Sequence, residues 1–80
     1  MMGEFKMEMS RPLDTLNKAK GKRVVVELKG ARQYVGTLNA FDIHVNVVLT
    51  EAEERENNEL KRKLGTVFIR GDTITIIFPE

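Results

Sequence analysis

Two short runs, Asp42-Ile43-His44-Val45-Asn46 and Ile69-Arg70-Gly71-Asp72, bring together the side-chain types that hold a single unpaired nucleic-acid base. An imidazole from His44 can lie on one face of a flat ring, and the guanidinium of Arg70 can stack on the other. The amide of Asn46 offers both a donor and an acceptor, which complement the carbonyl and N3–H groups on the edge of uracil. Asp42 and Asp72 are placed to orient Asn46 or Arg70 rather than to touch a ligand. Asp42, His44 and Asn46 are spaced by two, so a strand would direct all three to one face.

Such a site exists only if two distant segments meet, and the chain carries the patterning to bring them together. The segment from Arg11 to Lys20 has a helix-start signature, with Ser10 as the expected cap, Pro12 in the first turn and Asp14 near the positive end of the dipole. Leu13 and Leu16 share a face, and Gly21 ends the helix. From Arg23 the period becomes two: Val24, Val26 and Leu28 point one way, and Val25, Glu27 and Lys29 the other. Tyr34 to Phe41 forms a second strand, in which Gly36 marks a sharp bend or bulge. Val45 to Thr50 and Leu64 to Arg70 read as third and fourth strands. A tight turn at Gly71-Asp72 precedes a fifth, Thr73 to Phe78.

Glu51 to Lys63 is ambiguous. Its composition favours a helix, with Glu51 and Arg55 at helical spacing. Its only apolar contacts would be Ala52 and Leu60, however, and Asn57-Asn58 is a turn dipeptide with acids before it and bases after it. A fold-back there would set Glu53 and Glu54 opposite Lys61 and Arg62. The hairpin is the expectation adopted. The chain then reads as all-β with a short N-terminal helix: a five-stranded, strongly bent antiparallel barrel of SH3-like type spanning residues 10–80, preceded by a loose arm at 1–9.

Composition narrows the function. Eighty residues make at most one domain of modest core, and zero cysteines with one histidine leave self-association as the expected source of added stability. The apolar, uncharged run Thr73 to Phe78 would be hazardous as a bare edge. Its pairing with the fourth strand of a neighbouring copy, repeated head to tail, would close a ring. The formal charge of +1 is too small for binding by a general polycationic field, so any nucleic-acid contact is local and partly stacking-based. No run suits a signal peptide or a membrane span, and the absence of cysteine favours the cytoplasm. No nucleophile stands beside the histidine, no residues cluster at metal-ligand spacing, and no glycine loop cradles phosphate. Neither an enzyme nor a cofactor is expected.

In these residues the chain resembles the Sm-like (LSm) family, particularly its archaeal members. The resemblance spans about Arg11 to Phe78 and rests on Arg11-Pro12-Leu13-Asp14, Gly36, Asp42-Ile43-His44-Val45-Asn46 and Ile69-Arg70-Gly71-Asp72. It implies the Sm fold, with a helix on a five-stranded bent barrel, seven subunits joined through their fourth and fifth strands, and oligouridine bound near a central pore. It further implies that His44 stacks on the base, Asn46 reads it, Arg70 stacks from the other side and Asp72 supports the site. Eukaryotic relatives often carry a bulkier aromatic at the position of His44, which implies weaker stacking here. Bacterial hexameric relatives have Lys-His in the second run, so Arg70-Gly71 argues for seven copies rather than six. U-rich single-stranded RNA, further copies of the chain and RNA-processing proteins are the expected partners. The alternative is an SH3-like protein-interaction module with no nucleic-acid ligand, in which the Arg70 turn is purely structural.

Overall fold

The computed structural model describes residues 11–80. Helix α1 covers Pro12–Asn17, entered from an extended Arg11 (φ −79°, ψ 151°) with Pro12 in the first turn. The expected cap Ser10 and the arm at 1–9 lie outside the described residues. The helix is shorter than its pattern predicts. After Asn17 the chain tightens into turns, and Gly21, in the left-handed region at φ 84°, donates its N–H to the Leu38 carbonyl at 2.8 Å. That hook onto the sheet ends the helix and leaves Leu16 and Ala19 packed on the core.

Five antiparallel strands follow: β1 (Arg23–Leu28), β2 (Arg32–Phe41), β3 (Val47–Glu56), β4 (Glu59–Ile69) and β5 (Ile74–Pro79). They form one sheet in the order β4-β3-β2-β1-β5, which leaves β4 and β5 as its two free borders. Val24, Val26, Leu38, Val47, Leu49, Ala52 and Ile69 make the core on the concave side. The expected alternation in β1 holds for Val24 and Val26, but Val25 is buried as well. On the convex side it stands opposite Val35 in register, and Arg23, Glu53, Arg55 and Glu80 surround the pair with a chain of ion pairs of 3.0 to 3.3 Å.

The bend expected at Gly36 is present, and its cause is space. A Cβ there would stand 2.9 Å from the Thr50 carbonyl oxygen and 3.1 Å from the Ala52 Cα. The β2–β3 register shifts between Val35 and Thr37, and across from it Glu51 bulges out at φ 50°. Gly36→Val should therefore lower stability by about 1–3 kcal/mol, because the obstructing atoms are backbone and cannot turn aside. Urea denaturation would read this, and an unchanged midpoint would show that the sheet does not need the close approach.

Glu51 to Lys63 is a hairpin, not a helix. Asn57 (φ 54°) and Asn58 (φ 66°) both occupy the left-handed region, as a two-residue turn matched to strand twist requires. Glu54 lies opposite Arg62 as expected, with the guanidinium Nε 2.7 Å from its carboxylate. Irregular register moves the other pair: Glu53 faces Lys63, while Lys61 reaches Glu56 at 3.8 Å.

Candidate nucleic-acid interface

The third strand begins two residues later than its pattern predicts, and this reshapes the first run. Asp42 to Asn46 is a turn whose organiser is the Asp42 carboxylate. Its Oδ1 accepts the backbone N–H groups of His44 (2.9 Å) and Asn46 (3.0 Å), and its Oδ2 accepts the Asn46 side-chain N–H at 3.0 Å. An aspartate that captures amides two and four residues ahead offers the backbone an alternative to the sheet ladder. Val45, at φ 61°, takes the strained residue of this turn while its side chain packs against the core. Asp42, His44 and Asn46 therefore do not alternate along a strand as expected. They are gathered by a loop closed around one carboxylate.

The second run ends β4 in a single 3-10 turn, Gly71–Thr73. Thr73 closes it: its hydroxyl and its N–H both donate to the Arg70 carbonyl, at 2.6 and 3.0 Å. Arg70 Nη2 donates to Asp72 Oδ2 at 3.1 Å, and Arg70 remains largely exposed. Asp42 thus serves Asn46, and Asp72 serves Arg70.

One hydrogen bond joins the two runs. The Gly71 backbone N–H donates to Asn46 Oδ1 at 2.7 Å. The approach is so close that a Cβ on Gly71 would overlap the His44 carbonyl oxygen and sit 2.8 Å from the Val45 carbonyl carbon. His44, Asn46, Arg70, Gly71 and Asp72 consequently line one open hollow of about 440 Å³, and Asp42 stands behind it. With Oδ1 engaged by Gly71 and one N–H engaged by Asp42, the Asn46 amide is fixed in orientation. It has one N–H and one oxygen lone pair left for a ligand. Gly71, expected in the site, joins it through its main-chain amide, and the Thr73 hydroxyl is the turn-closing group that residue types alone did not reveal. The Ser/Thr tendency to close turns was the available signal for Thr73; a backbone amide leaves none.

The Asn46 amide, followed by the backbone N–H groups of Asn46 and His44, holds the Asp42 carboxyl below the ordinary aspartate range. A lowered folded-state value means that the loop's order is complete above the ordinary pKa and is lost as pH falls through the folded one. The Asn46 side-chain amide resonances should thus be unchanged at neutral pH and shift only below about pH 4. A midpoint above the ordinary aspartate value in an NMR titration would contradict the assigned hydrogen bonds.

Comparison with known proteins converges on one family. The family model described as LSM domain matches residues 14–79. An snRNP Sm-like protein of Archaeoglobus fulgidus is 52% identical over 69 residues, covering 86% of this chain and 90% of its own. One from Methanococcoides burtonii is 50% identical over 70 residues, covering 88% and 97%. Among solved structures, the Sm protein of Pyrococcus abyssii in complex with a uridine heptamer superposes with a TM-score of 0.84 at 39% identity, covering 89% of this chain and all of that one. The P. aerophilum SmAP1 heptamer gives 0.82 at 35% identity, with 90% and 96% covered.

Proposed function

This chain belongs to the LSM domain family, and from that membership we propose that it is the subunit of a homo-oligomeric ring, heptameric by preference, that binds U-rich single-stranded RNA near a central pore. The observation that carries this reading is the Gly71-to-Asn46 hydrogen bond, which knits two runs 25 residues apart into one hollow. In that hollow His44 and Arg70 supply stacking faces, and the fixed Asn46 amide supplies the edge contact. Two free strand borders per copy supply the means of assembly, β5 of one pairing with β4 of the next. The relatives solved as a heptamer and with a uridine heptamer support both halves of the reading.

A single stacked base contributes about 1–3 kcal/mol, so one site binds weakly. Identical sites around a ring engage successive nucleotides of one strand, and effective concentration multiplies their affinity. The role is that of a scaffold or chaperone in RNA processing or turnover, alongside RNA-processing proteins, and not that of an enzyme. Residues 10–80 form the working domain. We place it in the cytoplasm, in keeping with a chain free of cysteine. Among the described residues no helix is long and apolar enough to cross a membrane.

Fluorescence anisotropy with labelled uridine and adenine heptamers, alongside native mass spectrometry, tests the proposal. Tight binding of the uridine heptamer to a ring, with much weaker binding of the adenine one, is expected. Equal affinity for both, or none for either, would favour the protein-interaction module instead.

A further inference from the structure

Thr73 is exposed and does not line the hollow, yet the two halves of the hollow meet through a peptide that it grips. That peptide joins Arg70 to Gly71. Its carbonyl oxygen accepts the Thr73 hydroxyl at 2.6 Å and the Thr73 N–H at 3.0 Å, and its N–H donates to Asn46 Oδ1 at 2.7 Å. The C=O and N–H of a planar trans peptide point in opposite directions, so whatever fixes the oxygen also aims the hydrogen. Arg70 follows β4 in extended backbone, φ −76° and ψ 133°, and the next rotation along the chain belongs to Gly71. Glycine tolerates a wide range of that angle, so the tilt of the peptide needs an outside restraint. Two donors converging on one oxygen supply it, where one alone would leave a hinge. Thr73 is itself anchored: its carbonyl accepts the Lys29 N–H at 3.3 Å, and Ile74 after it pairs with Leu28 of β1.

We propose that the Thr73 hydroxyl is the positioning group of the base site, tilting the Arg70–Gly71 peptide so that the stacking guanidinium and the base-reading Asn46 amide are set together. The inference rests on the RNA-binding reading and adds to it a residue that touches no base. Main-chain bonds by themselves define the turn: the Thr73 N–H donates to the Arg70 carbonyl and the Ile74 N–H to the Gly71 carbonyl. The hydroxyl reinforces that closure from a second direction, and it does so on the one peptide that both halves of the hollow share. A bond accepted at the carbonyl also polarises the N–H of the same peptide and strengthens its donation to Asn46. Base reading therefore depends on Thr73 through a relay of two hydrogen bonds, hydroxyl to carbonyl and amide to Asn46.

Thr73→Val replaces the hydroxyl by a methyl group of similar shape and keeps the N–H bond. Uridine-heptamer affinity should fall about threefold per site, hence about tenfold where a strand engages two sites. The preference for the uridine over the adenine heptamer should narrow, because a loosened Asn46 reads the base edge less well. Ring mass in native spectra should not change. Thr73→Ser should restore both affinity and preference. In the free protein, the Asn46 side-chain amide resonances should shift in Thr73→Val and return in Thr73→Ser. Wild-type affinity and preference in Thr73→Val would overturn the proposal. An equal loss in Thr73→Ser would also overturn it, by assigning the effect to the methyl group. A proportionate loss for both heptamers with unmoved Asn46 resonances would do the same, since a purely structural role gives that result. Failure of the unmodified protein to bind the uridine heptamer is a separate result, because it removes the RNA-binding reading itself, whatever the resonances show.

Discussion

Gly71→Ala is expected to eliminate measurable uridine-heptamer binding while leaving the five-stranded sheet folded. Gly71 does not lie in the left-handed region, so the demand for glycine there is one of space. The added methyl would meet the His44 carbonyl oxygen, the Val45 carbonyl carbon and the Val45 carbonyl oxygen, all of them main chain. None can rotate away, so the two loops must part. A parting on the order of an ångström breaks the 2.7 Å bond to Asn46 and shifts Arg70 relative to His44. One lost hydrogen bond and one lost stacking arrangement sum to about 2–4 kcal/mol per copy. Far-ultraviolet circular dichroism should stay native, because only Val45, packed at the margin of the core, belongs both to the displaced loop and to the concave side. Wild-type affinity in this variant would mean that the close approach is not needed for recognition.

Asn46→Ala is expected to have a similar effect on binding by a different route. It removes the acceptor for the Gly71 N–H and the donor to Asp42, both in an exposed setting where water can substitute. The stability cost should therefore be about 0.5–1.5 kcal/mol for each bond, small enough for the subunit to fold. The ligand loses more. Every copy in a ring carries the same lesion, so a per-site loss of roughly five- to tenfold is compounded across each site that the strand engages, to roughly 25- to 100-fold for two sites and more than about 100-fold for three. Binding should consequently fall more steeply for long oligouridines than for a dinucleotide. A loss independent of length would argue against repeated sites. Asn46→Asp is the sharper variant. It sets a second carboxylate where Asp42 accepts a hydrogen bond at 3.0 Å, and like charges so placed repel. It should bind more weakly than Asn46→Ala at neutral pH.

The features written locally were legible in the chain. Val24 and Val26 declared β1 through their period, and Asn57-Asn58 declared the hairpin because both turn positions need the left-handed region that asparagine tolerates. Gly36 marked the bend because an interior glycine in a strand signals a close backbone. What escaped depends on partners far along the chain. Asp42, His44 and Asn46 mimicked a strand, yet the Asp42 carboxylate competed for the same amides and won. Val45 sits at φ 61°, a position β-branched residues avoid, because core packing and the closed loop hold it there. The Glu51 bulge answers Gly36 from across the sheet, and nothing in its own neighbours announces it. The residues that gather around the hollow were nameable by type, whereas the Gly71 amide that fastens the two runs has no side chain to read.

The two border strands differ in length: β4 has 11 residues and β5 has 6. Laid along β4, a strand as short as β5 satisfies little more than half of its open main-chain groups. The overhang, Glu59-Leu60-Lys61-Arg62-Lys63, carries charges that repel a further strand. Each molecule thus offers an adhesive half for one neighbour and a half that refuses another, which holds each border to a single partner and leaves the rotation between copies to close the circle.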